Sequence, residues 1–260
     1  KELGNLDDAI IFCKKAIELN SNYAEAYNNL GVTYKELGNL DDAIIFCKKA
    51  IELNSNYAEA YNNLGIALKD YKKLEESEIN FKKAIKLNPM YAEAYNNLGI
   101  LFKDKNELEN SKINYQKAIE LKSDYAEAYY NLGITFRELG ELEKSETSYK
   151  LAIKYNPSYA EAYNNLGVTL RELCKLDDSE KAYKKAIELK NNYPDPYNNL
   201  SFTLLLKNQF EEAYKFSEWR WQTKYNIGKK FITNKPLWNG ENNKTILVWK
   251  EQGIGDEIMY

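Results

Sequence analysis

The sequence predicts an all-α fold: a solenoid of stacked helix pairs, followed by a short non-repeat tail. Three observations carry that prediction. The segment AEAYNNLGVTYKELGNLDDAIIFCKKAIELNSNY, starting at Ala24, returns at Ala58, Ala92, Ala126 and Ala160, each start 34 residues after the last, and in weakened form at Pro194. A fixed period of that size marks a repeat architecture. Within each unit, apolar residues recur at i, i+3 or i+4 and i+7 in two separate runs, which makes two amphipathic helices per unit.

Counting Ala24 as position 1, the first helix carries Tyr27, Leu30, Gly31 and Tyr34 at positions 4, 7, 8 and 11. Gly38 at position 15 supplies the left-handed residue that stops it. Asn39 and Asp42 form a capping pair for the second helix. That helix carries Leu40, Ala43, Cys47, Ala50 and Leu53 at positions 17, 20, 24, 27 and 30. Small residues at positions 8, 20 and 27 let the two helices approach closely, and Pro89 and Pro157 at position 32 end the second helix where they occur.

The repeats run as a partial unit over 1–23, then from 24, 58, 92, 126 and 160, with a degenerate last unit from 194, so the solenoid is expected over 1–221. Residues 1–23 match positions 12 to 34, so the chain is expected to begin mid-repeat, as a fragment. The turn position varies most: Gly38, Lys72, Asn106, Gly140, Cys174 and Asn208. Past Glu218 the composition changes, and all four tryptophans lie there: Trp219, Trp221, Trp238 and Trp249. Trp219 and Trp221 are expected to fold over the last repeat. Residues 222–244 read as a connector. The β-branched run Thr245–Trp249, followed by Gly253 and Gly255, reads as the opening of a truncated α/β domain over 245–260.

Composition excludes several function classes. A net charge of −3 leaves no basic footprint for nucleic acid. No apolar run approaches a membrane span. The chain has no histidine, which removes the Ser-His and Cys-His nucleophile pairs and the commonest metal ligand. Its three cysteines, Cys13, Cys47 and Cys174, lack metal or redox spacing. No cofactor is predicted. Free thiols favour a reducing compartment, and cytoplasmic placement is the expectation.

The register resembles the tetratricopeptide repeat, which implies a right-handed superhelix with the first helix of each unit facing the concave groove. Positions 2, 5, 6, 9, 12 and 13 are then expected to be exposed in it. Position 6 is Asn29, Asn63, Asn97, Asn131, Asn165 and Asn199. Position 5 is Asn28, Asn62, Asn96, Asn164 and Asn198, with Tyr130 the exception. Position 12 is Lys35, Lys69, Lys103, Arg137 and Arg171, each followed by an acid at position 13. An asparagine amide offers a donor and an acceptor in one plane, matching a peptide unit. A ladder of them can hold an extended peptide or protein segment regardless of side chains, tuned by the charged rows.

The ladder, the tyrosine at position 34 and the phrase YNNLGxxxKE resemble the repeats of O-linked N-acetylglucosamine transferases and their relatives. That resemblance implies that Asn29, Asn63, Asn97, Asn131, Asn165 and Asn199 clamp a substrate backbone. The tail W-x-G-x6-L-V-W-x-E-Q-G-x-G-D, from Trp238 to Asp256, resembles the junction to a glycosyltransferase-like domain. It implies Asp256 as a base in an intact parent protein. Residues 1–260 hold no complete catalytic domain and are not expected to be an enzyme. A second reading is an assembly scaffold, unrelated to any enzyme, whose tail mediates self-association.

Overall fold

The computed structural model describes residues 2–217, 219, 222 and 223. These form thirteen α-helices: α1 (Glu2–Leu19), α2 (Ala24–Glu36), α3 (Leu40–Leu53), α4 (Ala58–Asp70), α5 (Leu74–Leu87), α6 (Ala92–Asp104), α7 (Leu108–Leu121), α8 (Ala126–Glu138), α9 (Leu142–Tyr155), α10 (Ala160–Glu172), α11 (Leu176–Leu189), α12 (Pro194–Leu206) and α13 (Phe210–Ser217). From α2 onward they pair as first and second helices of successive units. The connector and the α/β opening read from residues 222–260 lie outside the described residues, apart from Gln222 and Thr223.

Each first helix stops in the same way. The turn residue takes a left-handed backbone, at φ 77° for Gly38, 65° for Lys72, 61° for Asn106, 76° for Gly140, 58° for Cys174 and 60° for Asn208. The next amide then reaches back five residues, Asn39 N to Tyr34 O at 2.9 Å and Glu107 N to Phe102 O at 2.8 Å, capping the helix's last carbonyls. Asn39 does cap α3, accepting from Asp42 N at 3.3 Å while its Nδ2 donates to Asp42 Oδ2 at 2.7 Å. Proline does not decide where second helices end. α3, α7 and α11 stop at the same register as α5 and α9 without one. Instead the residue at position 31 turns extended, as at Asn54 (φ −140°) and Lys122 (φ −137°), and its carbonyl accepts from the position-34 amide.

The core is a string of small clusters, each joining one unit's second helix to the next unit's first. Phe81 of α5 packs with Leu98, Leu101 and Phe102 of α6. Tyr115, Tyr149 and Tyr183 repeat that contact down the stack, and Cys47 does so with Leu64 and Leu68. Within each unit the same ring lies over the position-8 glycine. A Cβ on Gly99 would come 2.7 Å from Tyr115 Cε1, and one on Gly65 the same distance from Phe81 Cε1. Ser77, Ser145 and Ser179 at position 20 donate to the carbonyls of Gly65, Gly133 and Gly167 at 2.7–2.8 Å, closing the crossing from the other side.

The backbones of first helices of adjacent units come close to one another, whereas those of second helices of adjacent units do not. The stack therefore curves with its first helices inside. Trp219 lies flat on Tyr197 of α12, ring centroids 4.0 Å apart and planes within 6°, as expected of an aromatic cap on the last unit; Trp221 lies outside the described residues.

Two substitutions separate packing from backbone strain. Gly99→Ala drives a methyl into the fully buried Tyr115 ring and is expected to destabilise by about 1–3 kcal/mol. Cys174→Gly relieves about 1–2 kcal/mol of left-handed strain against about 0.4–1 kcal/mol of added chain entropy, so the urea midpoint rises slightly. Opposite signs in urea titration check both.

Candidate functional site

The inner surface is built from the exposed faces of α2, α4, α6, α8, α10 and α12. Placing positions 5 and 6 together on that surface, as the sequence suggests, fails in the structure. Asn28, Asn62, Asn96 and Asn164 are buried, each 1–5% exposed, whereas Asn63, Asn97, Asn131, Asn165 and Asn199 are half-buried and Asn29 is exposed. Successive helix residues point about 100° apart. At this crossing position 5 turns into the joint with the neighbouring unit while position 6 stays on the groove wall.

The two rows are bonded to each other. Asn63 Nδ2 donates to Asn28 Oδ1 at 3.0 Å, Asn97 to Asn62 at 3.0 Å, Asn131 to Asn96 at 3.1 Å and Asn199 to Asn164 at 3.0 Å. Each position-6 amide is thus held by the unit before it. The position-5 amides pass the chain on. Asn28 Nδ2 donates to the Tyr57 hydroxyl at 3.5 Å, and Asn96 Nδ2 to Glu127 Oε1 at 3.3 Å. The position-34 tyrosines close the belt as neutral groups. Burial and the neighbouring Glu59 and Glu93 carboxylates push the Tyr91 hydroxyl up to about 12, and burial raises Tyr57 in the same direction. Their sequence signal was the unbroken tyrosine at position 34.

The pattern breaks once. Tyr130 stands at position 5 of α8, tilted against Tyr159 with centroids 4.8 Å apart, and its hydroxyl accepts from Asn165 Nδ2 at 3.1 Å. Asn165 Oδ1 also accepts from Asn164 Nδ2 at 3.2 Å. Asn165 is therefore engaged at both ends of its amide. Asn63, Asn97, Asn131 and Asn199 each give only a donor to the joint, and no bond to their Oδ1 occurs among the described residues.

Charges on this wall are staggered between units. Lys69 lies 3.2 Å from Asp70 and 3.8 Å from Asp104 of the next unit, and Lys103 lies 3.6 Å from Glu138 of its next unit. Arg171 reaches the Asn199 carbonyl at 3.5 Å. Lys35 and Arg137 are half-buried on the same row. No group of three or more potential metal ligands occurs among the described residues, and no helix there is long and apolar enough to cross a membrane. Asp256 lies outside the described residues.

Comparison with known proteins agrees with this geometry. A family model described as tetratricopeptide repeat matches residues 24–57, 58–91 and 160–193; another, described as TPR repeat, matches 1–38, 101–136 and 135–173. A further tetratricopeptide repeat model matches 182–215. Among solved structures, the chain resembles YrrB, described as a TPR protein with an unusual peptide-binding site, at 24% identity and TM-score 0.55, covering 71% of this chain and 95% of that one. It resembles MamA at 30% identity and TM-score 0.56, covering 62% and 94%. PilF of Pseudomonas aeruginosa superposes at TM-score 0.70 with 15% identity, covering 76% and 90%. Curated protein sequences give no match.

The belt yields a stability prediction. Asn96→Ala strips the acceptor from Asn131 Nδ2 at a buried joint, so it is expected to cost about 1–3 kcal/mol. Urea titration and hydrogen exchange should place the loss at the contact of α6 with α8.

Proposed function

The chain belongs to the tetratricopeptide repeat family, and from that premise we propose that it is a peptide- or protein-binding module whose groove holds an extended guest backbone on the position-6 asparagines. The carrying observation is the one-sided use of Asn63, Asn97, Asn131 and Asn199. The joint takes an Nδ2 donor from each and so fixes the amide plane, which leaves the Oδ1 acceptors for a guest. An extended peptide presents N–H groups to such acceptors. Adjacent first helices about 8–10 Å apart match about three extended residues at about 3.3 Å each. A guest is therefore read about once every three residues, through its backbone. Each contact contributes about 1 kcal/mol net, and ordering the guest offsets much of the sum. Binding is moderate and tolerant of sequence. Asn28, Asn62 and Asn96 act behind this row, as orienting groups, and Lys35, Lys69, Lys103, Arg137 and Arg171 select against guests of the wrong charge. YrrB shows that this fold can carry a peptide-binding site.

At the level of the whole protein, the groove serves as the substrate-recruiting arm of a glycosyltransferase-like parent. Support for that comes from the sequence alone: the asparagine register and the Trp238–Asp256 motif, with Asp256 as base in the intact parent. The competing reading, a scaffold that self-associates through residues 200–260, draws on exposed Phe202, Leu206, Phe210 and Tyr214 near the last unit.

Asn63→Ala combined with Asn97→Ala removes two acceptors and also the donors to buried Asn28 and Asn62, so urea titration of the same variant separates the stability loss from the binding loss. Binders selected from a random peptide library are expected to lose about 2 kcal/mol, roughly thirty-fold in Kd, with the helical circular dichroism unchanged. Unchanged affinity would sink the asparagine row as the binding element.

A further inference from the structure

Five position-6 asparagines are half-buried on the groove wall, and among the described residues one of them, Asn165, is spent at both ends of its amide. It meets a different partner. At the other joints an asparagine oxygen of the preceding unit accepts the Nδ2 donor, whereas Asn165 Nδ2 donates to the Tyr130 hydroxyl at 3.1 Å. Asn165 Oδ1 in turn accepts from Asn164 Nδ2 at 3.2 Å. Tyr130 is also half-buried, unlike the buried Asn28, Asn62, Asn96 and Asn164 at the same position of their units. Its ring lies 4.8 Å from that of Tyr159 and 6.0 Å from that of Tyr149. With half-buried Ile134 it packs on the cluster of Leu166 and Leu170. Burial and the nearby Glu161 carboxylate raise the Tyr130 hydroxyl above the ordinary tyrosine range, so it keeps its proton. No acceptor for that proton occurs among the described residues.

The joint of α8 with α10 therefore offers a guest a proton donor and an aromatic surface where its neighbours offer an amide oxygen. A guest N–H there meets an oxygen already in use. A residue with no N–H, an apolar ring and a carbonyl ahead of it to accept the Tyr130 O–H loses nothing and gains both contacts. Proline is that residue. We infer, on the strength of the proposed contact between position-6 oxygens and guest N–H groups, that a guest carries proline where it crosses the joint of α8 with α10. Where it crosses Asn63, Asn97, Asn131 and Asn199 it carries residues with a free N–H. Proline at any of those four places leaves an amide oxygen without its donor. The one permissive joint thus fixes the register of a groove that otherwise tolerates any side chain. With about three guest residues per unit, the proline lies about three residues from the N–H that meets Asn131 and about three from the one that meets Asn199.

The test takes one peptide selected from a random library on the full chain and replaces its backbone amides by esters one at a time, which removes an N–H and keeps the side chains. Esters that face Asn63, Asn97, Asn131 and Asn199 should each weaken binding about five-fold. These sensitive bonds should recur about every three residues, with one gap of about six residues ahead of the last. Proline at the middle of that gap should bind at least as tightly as alanine. Tyr130→Asn installs the residue that α2, α4, α6, α10 and α12 carry at position 5, and it should fill the gap with a sensitive bond and make proline there harmful. A sensitive bond inside the gap with Tyr130 in place, proline binding worse than alanine there, or a gap that Tyr130→Asn leaves unchanged overturns the inference and leaves the asparagine contacts standing. The absence of any sensitive bond overturns the asparagine contacts themselves, and the proline position with them.

Discussion

The close approach of a position-8 glycine to a position-24 side chain is the contact on which the rest of the molecule depends. In four consecutive units a buried ring, Phe81, Tyr115, Tyr149 or Tyr183, occupies the space that a Cβ on Gly65, Gly99, Gly133 or Gly167 would need. That contact fixes how the first helix crosses the second. The same ring then packs on the next unit's leucines and so passes the crossing along the stack. A solenoid has only neighbour-to-neighbour interactions, so one repeated contact sets its curvature. The inner wall is a consequence: with the backbones of adjacent first helices close and those of second helices apart, positions 6, 9 and 12 are left facing inward.

The sequence was explicit about the period, the two helices per unit and the turn that separates them. These rest on local chemistry: periodic apolar residues, a left-handed turn and an asparagine cap at Asn39. It was ambiguous wherever the stagger between units decides. Asn28 and Asn29 are adjacent and chemically equal, and only the inter-unit geometry sends one into the joint and the other to the groove. Pro89 and Pro157 looked like stop signals, although the extended residue before the turn stops every second helix alike. Lys72 and Cys174 stand where other units have the turn glycine, and they take the left-handed conformation all the same, at φ 65° and 58°.

The buried belt changes how the groove can work. Had both asparagines been free, the amide planes would have rotated independently and each contact with a guest would have carried an ordering cost. On the proposed reading, the single tethering donor fixes the plane of the position-6 amide before a guest arrives. Burial and flanking carboxylates raise the Tyr57 and Tyr91 hydroxyls further above the ordinary tyrosine range, so these two belt members stay neutral well into alkaline pH. Salt should act mainly on the staggered Lys and acid rows, which are partly exposed and screened. Tyr130 marks a discontinuity, where Asn165 is consumed internally and an aromatic edge replaces an amide.

The most direct measurement follows the side-chain amide signals of the asparagines by 15N–1H NMR while a groove-binding peptide is titrated in. The account predicts that the Nδ2 signals of Asn63, Asn97, Asn131 and Asn199 move together, because an N–H donated to Oδ1 polarises the whole amide, while that of Asn165 moves least. Shifts confined to second-helix residues, or an Asn165 signal that moves as much as the others, would contradict it.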